Sequence, residues 1–117
     1  MTQPTLLTQP TLKTLGIGLA MTGCLFISHV ATADDAAGKT LYDTKQCPIC
    51  HGGDAKTPRA PFYPKLAGQN ELYLLQQMKD IRDGKRSNGM SGTMRALTAT
   101  VTDEDFEKIA KWLASLE

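Results

Sequence analysis

Beyond residue 33 the chain shows three stretches in which apolar residues recur at helical spacing, separated by two stretches in which they do not. Asp34–Gln46 reads as a short helix, with two acidic residues at its positive end and Ala37, Leu41 and the Gly38/Tyr42 pair three or four residues apart. Asn70 is a plausible N-cap for a second helix, with Leu74, Leu75, Met78 and Ile81 on one face and Gly84 as its stop. Thr102 with Asp105 makes a capping-box-like start for a third, whose inner face is Phe106, Ile109, Ala110, Leu113 and the neighbouring Trp112. Between them, 52–68 carries prolines at 58, 61 and 64, and 85–100 (KRSNGMSGTMRALTAT) reads as loop. No strand pattern, repeat or low-complexity run appears. The expected fold is all-α, with three main helices and two long loops. Its apolar residues are too few to enclose a core alone, and loops of that length in a small domain are expected to wrap something.

The first 33 residues follow a different rule. A mostly polar head with one positive charge, Lys13, precedes an apolar or small run, Leu15–Val30, and Ala31-Thr32-Ala33 follows before Asp34-Asp35. That order predicts a cleaved secretory signal over 1–33 and a mature domain over 34–117. The apolar run is short for a membrane anchor and contains Gly, Thr, Ser and His. Met21-Thr22-Gly23-Cys24 loosely resembles a lipobox, but Leu25, Phe26 and Ile27 continue the apolar run past the cysteine, which argues against a lipid anchor.

Removing the leader changes the cysteine and charge arithmetic. The mature chain keeps Cys47, Cys50 and one histidine, His51, within five consecutive residues, and balances twelve Lys and Arg against twelve Asp and Glu. A balanced charge gives no reason to expect a nucleic-acid or membrane-surface partner. A domain this small commonly needs a disulfide, a metal or a cofactor as a staple.

Cys47-Pro48-Ile49-Cys50-His51 supplies that staple. C-x-x-C-H is the pattern of a c-type haem attachment site: two thiols add to the two vinyl groups of the porphyrin, and the next residue is held over the iron as its proximal ligand. A redox dithiol would need βαβ surroundings, a zinc site would need a fourth ligand, and a disulfide across two residues closes too small a loop to stabilise much. With no second histidine in the mature chain, the sixth ligand is expected to be a thioether from Met78, Met90 or Met94. Met78 belongs to the apolar face of the second helix, where packing explains it. Met90 and Met94 both lie in the second loop.

Gly38 and Tyr42 before CPICHG, Tyr63-Pro64-Lys65-Leu66-Ala67-Gly68-Gln69, Tyr73-Leu74 with Gln77, Gly84-Lys85-Arg86, Met94 and the closing TDEDFEKIAKWL run through the whole mature domain. In these residues the chain resembles a class I c-type cytochrome of the short bacterial kind, and is especially similar to one half of the dihaem periplasmic cytochromes and their single-haem relatives. The resemblance implies Met94 as the distal ligand, with Met90 as runner-up. It implies that the carbonyl of Pro64 accepts the Nδ1 hydrogen of His51, and that the first helix crosses the last at Gly38 and Tyr42, facing Trp112 or Leu113.

Core packing is the expected role of Tyr42, Tyr73 and Trp112. Lys79, Arg82, Lys85, Arg86 and Arg95, offset by Asp80 and Asp83, read as a solvated face, with a docking patch or a counter-charge to the haem propionates as the sharper alternative. Asp103, Glu104 and Asp105 suit a helix N-terminus. The expectation is an exported periplasmic electron carrier with one covalent haem c, held by Cys47 and Cys50, ligated by His51 and Met94, and exchanging electrons with periplasmic redox proteins. Stable membrane insertion is not expected after cleavage. The alternatives are a haem subunit of a periplasmic dehydrogenase or sulfur-oxidising complex, and an open-site haem sensor or peroxidase.

Overall fold

The computed structural model of the protein describes residues 33–117, so the leader and lipobox readings lie outside the described residues except at Ala33. Five helices follow in order: α1 (Ala33–Thr44), α2 (Pro48–His51), α3 (Glu71–Arg82), α4 (Ser91–Thr98) and α5 (Asp103–Ser115). No strand occurs among the described residues. The three expected helices are α1, α3 and α5, and their ends follow the expected chemistry. Asn70 Oδ1 accepts the Tyr73 N–H at 3.0 Å and Thr102 Oγ1 accepts the Asp105 N–H at 3.1 Å. Gly84 closes α3 at φ +76°, its N–H donating to the Ile81 carbonyl at 3.1 Å.

The architecture rests on the crossing of α1 over α5. A Cβ on Gly38 would lie 2.3 Å from the Lys108 carbonyl oxygen and 2.5 Å from Trp112 Cβ, so only glycine permits this approach. One turn further on, the Tyr42 and Trp112 rings meet with centroids 4.9 Å apart and planes tilted by 54°. Lys111 pairs with Asp34 at 2.7 Å, and Lys45 with Asp105 at 3.1 Å. Helix α3 packs on α5, with Leu74 and Met78 in the core cluster that holds the buried face of α5, and α4 packs on α3.

Two expectations are corrected. The stretch 85–100 is not all loop, because Ser91–Thr98 forms α4 and carries Met94. Gly92, an N-cap at Met90 without a side-chain hydrogen bond and only eight residues make this helix weak on its own, and packing on α3 supplies what local propensity lacks. Tyr73, 53% exposed, is not buried with the helical core but borders the cavity described below. It lies one position before Leu74 on α3, off the 74/78/81 face, whereas Tyr42 and Trp112 are buried as expected.

Gly38→Ala is expected to destabilise the domain by about 1–3 kcal/mol, because both colliding groups belong to backbone or to a Cβ that cannot swing away. Gly53→Ala, whose Cβ would meet nothing within 4 Å, is expected to be neutral. Urea unfolding of both variants, followed by circular dichroism, makes the comparison.

Candidate functional site

Helix α1 delivers the chain to the pentapeptide through a left-handed turn at Gln46, φ +65°. Cys47 is the N-cap of α2 and Pro48 follows at the start of the helix, where its missing N–H costs nothing. The His51 N–H donates to the Cys47 carbonyl at 3.0 Å, so Cys47, Cys50 and His51, at i, i+3 and i+4, share one side of a single helical turn. The two thiols are not joined to each other. Burial pushes the Cys47 thiol up to about 11.

The turn ends at Gly52, φ +82°, where a Cβ would also lie 2.1 Å from the Thr57 carbonyl. The Gly52 carbonyl accepts the Tyr42 hydroxyl at 2.7 Å. Burial pushes that hydroxyl's pKa well above its ordinary value, so it stays a donor. Helix α1 is thereby tied to the residue just after His51, a link that no local pattern announced.

His51 is buried, and its Nδ1 donates to the Pro64 carbonyl at 2.9 Å. A carbonyl only accepts, so Nδ1 carries the proton and Nε2 is the nitrogen with a lone pair to offer. Burial lowers the His51 pKa and the Pro64 bond raises it, with burial prevailing; the neutral, ligating form is favoured. The loop holds Pro64 in place through the Ala55 carbonyl, which accepts both the Leu66 and Ala67 N–H groups at 3.0 Å, and through the Gly68 N–H, which donates to the Leu113 carbonyl at 2.9 Å. Ala55 is buried and left-handed at φ +54°. Asp54 shapes the same turn by accepting the Thr57 and Lys56 N–H groups, each at 2.9 Å.

The attachment residues and Pro64 face one cavity of about 300 Å³. Cys47, Cys50, His51 and Pro64 form one part of its wall, Leu74 and Met78 of α3 another, and Met94 of α4 a third. Met90 also borders it but is 45% exposed at the start of α4, whereas Met78 is buried with the core. The structure therefore brings every candidate ligand to one space. Among the described residues no three His, Cys, Asp or Glu side chains cluster as a separate metal site.

The basic group does not form one face. Lys79 and Arg82 reach Asp103 at 3.0 and 2.7 Å, and Arg82 also bonds the Val101 carbonyl. The Arg95 guanidinium lies close to Gly84, and Arg86 borders the cavity.

Short helices around an apolar cleft, with two thiols and an imidazole on one turn of its wall, define a haem-attaching domain. The chain belongs to the cytochrome c family, whose model matches residues 36–117. It is 43% identical over 104 residues to cytochrome c4 of Pseudomonas aeruginosa, covering 89% of this chain and 47% of that protein. It is 39% identical over 84 residues to cytochrome c-554(548) of Halomonas halodenitrificans, covering 72% of this chain and 98% of that protein. The crystal structure of reduced recombinant cytochrome c4 from Pseudomonas stutzeri superimposes with a TM-score of 0.64 at 27% identity, over 73% of this chain and 49% of that one. The chain thus spans about half the length of its cytochrome c4 relatives and nearly the whole of the c-554 relative.

A cytochrome c domain binds haem c covalently, and Cys47 and Cys50 stand at the CxxCH spacing used for attachment. The residues here fit that group. The thiols are unpaired, the histidine tautomer leaves Nε2 available, and the apolar walls suit a porphyrin face.

Tyr42→Phe is expected to cost about 1 kcal/mol, the ordinary net worth of one hydrogen bond, because the Gly52 carbonyl keeps its second donor, the Ala55 N–H at 3.2 Å; chemical denaturation measures this. Asp54 supplies a pH dependence. The N–H groups of Thr57 and Lys56 and the Thr57 hydroxyl hold its carboxyl at about 2, below the ordinary 3.8. A depressed folded-state pKa stabilises above the unfolded value and is lost as pH falls through the folded one. Protection of the Lys56 and Thr57 amides against hydrogen exchange is therefore expected to fall as pH drops from about 4 to about 2, and Asp54→Asn is expected to flatten that step.

Proposed function

We propose that this chain is an exported, non-catalytic electron carrier of the periplasm, passing single electrons between redox proteins through one c-type haem with His51 and Met94 as axial ligands. The observation that carries this reading is the meeting of Cys47, Cys50, His51, Pro64 and Met94 on the walls of one apolar cavity. When bound, the haem supplies an iron that cycles between ferric and ferrous states.

The chain's own residues do the rest. Cys47 and Cys50 hold the group covalently so that it is not lost. Pro64 fixes the His51 ring through Nδ1 and directs Nε2 to the ligand role. Leu74, Met78, Ile81, Val101 and Phe106 keep water from the interior of the cleft, which favours a high potential and limits rearrangement on electron transfer. Met94 lies within a helix, is partly buried and packs against the core cluster, whereas Met90 is the more exposed of the two thioethers. This supports Met94 as the ligand. The leader pattern over 1–33 supports export, and no helix among the described residues is long and apolar enough to cross a membrane.

Absorption spectra of the mature haem-loaded protein test the reading. A thioether-to-iron charge-transfer band in the oxidised state, and no response to carbon monoxide in the reduced state, are expected. Met94→Ala is expected to abolish the band and open the iron to carbon monoxide, while Met90→Ala leaves both unchanged. A carbon monoxide response in the unmodified protein would replace the carrier with an open-site haem protein.

A further inference from the structure

The turn that opens α4 places an asparagine before a glycine. Asn88 and Gly89 are both exposed, and both border the cavity. Gly89 is left-handed at φ +56° with open space where a Cβ would stand, and the Ser91 N–H closes the turn on the Asn88 carbonyl at 3.2 Å. In that turn the Gly89 N–H makes no hydrogen bond to any described residue. The backbone nitrogen after Asn88 can therefore approach the side-chain amide, with no Cβ to obstruct it. The chain's other asparagine, Asn70, differs on both counts: it precedes Glu71 at the start of α3, and its Oδ1 is engaged by the Tyr73 N–H.

Arg86 prepares the Asn88 amide for that approach. Its Nε donates to Asn88 Oδ1 at 3.2 Å. Its Nη1 donates to Gln77 Oε1 and its backbone N–H to the Asp80 carbonyl, each at 3.0 Å, and these two bonds steady the guanidinium. A cationic donor on Oδ1 draws electron density from Cγ and meets the negative charge that builds on Oδ1 as a nucleophile adds. We propose that Asn88 is a site of spontaneous deamidation, with Arg86 as the positioning residue that promotes it. The Gly89 nitrogen gives its proton to water as it bonds to Asn88 Cγ; the Cγ–Nδ2 bond then breaks and Nδ2 leaves as ammonia, taking a proton from water. A second water hydrolyses the cyclic imide at either carbonyl, leaving aspartate or isoaspartate at position 88. The step needs water alone and consumes no oxidant or reductant. Its product is a carboxylate on a cavity border that carries no aspartate or glutamate, and isoaspartate also lengthens the backbone just before the helix that holds Met94.

Peptide mapping by mass spectrometry tests this on the mature haem-loaded protein kept at mildly alkaline pH, once folded and once in concentrated guanidinium chloride. The readout, replacement of an amide NH2 by OH, does not depend on the haem. It is expected at Asn88 and not at Asn70, and is expected to proceed in the folded protein at least as fast as in denaturant. Slower conversion of Asn88 in the folded protein than in denaturant would overturn the proposal, because the fold would then protect the amide.

Arg86→Leu is expected to slow the folded-state conversion about threefold, the modest worth of one exposed charge-assisted hydrogen bond. Arg86→Lys, which keeps a cationic donor, is expected to recover part of the rate. Loss of a mere brace would loosen the turn instead, so an unchanged or faster conversion in Arg86→Leu would overturn the role given to Arg86. The comparison of folded and denatured unmodified protein needs no variant and stands even if Arg86→Leu fails to fold.

Discussion

Contact between the backbone of α1 and that of α5 at Gly38 is the constraint from which the rest of the domain follows. With no Cβ at Gly38, Lys108 and Trp112 come close enough for Tyr42 to lie against the indole and reach the Gly52 carbonyl. That hydroxyl connects the helix crossing to the haem-attachment turn. A wider crossing would move Tyr42 and loosen the residue that follows His51. Close packing of the two terminal helices and precise placement of an imidazole are therefore one structural property.

The opposite side of the attachment turn is held by loop backbone. Pro64 can orient His51 only if 53–68 keeps one shape, and no regular element within it provides that shape. A buried alanine in a left-handed conformation, two N–H groups converging on its carbonyl and an Asp54 turn supply it. A left-handed alanine is strained relative to glycine there, and the surrounding hydrogen bonds hold it in that conformation. A folded-in loop of this kind resists reorientation of the His51 ring.

Similarity to cytochrome c4 over about half of that protein, and to cytochrome c-554(548) over nearly all of it, means that the same helical unit occurs both within a longer chain and nearly as a whole one. The unit's apolar residues line a cleft of its own, its candidate ligands come from three separate segments, and its ion pairs join its own first and last helices.

CPICH, the caps at Asn70 and Thr102, the stop at Gly84 and the apolar faces of α3 and α5 were legible in the chain because each is a local matter, decided by residues within four positions of one another. The leader was read on the same basis, in residues outside those described. Three features were not legible. Helix α4 has too few residues and too weak a cap to be recognised without the α3 surface on which it packs. Tyr73 belongs to a helix whose pattern was plain, yet one step of rotation separates it from the buried face. Arg86 stood in a run of cations that looked uniform until the fold gave Lys79 and Arg82 to Asp103 and left Arg86 at the cavity. Local order along the chain settled where α1, α3 and α5 lie and which residues carry the attachment chemistry, since hydrogen bonds and periodicity act over a single turn. Only the packed structure decided which charge meets which partner and brought Met78, Met90 and Met94 to the cavity that His51 borders, because those depend on distances between segments that are far apart in sequence.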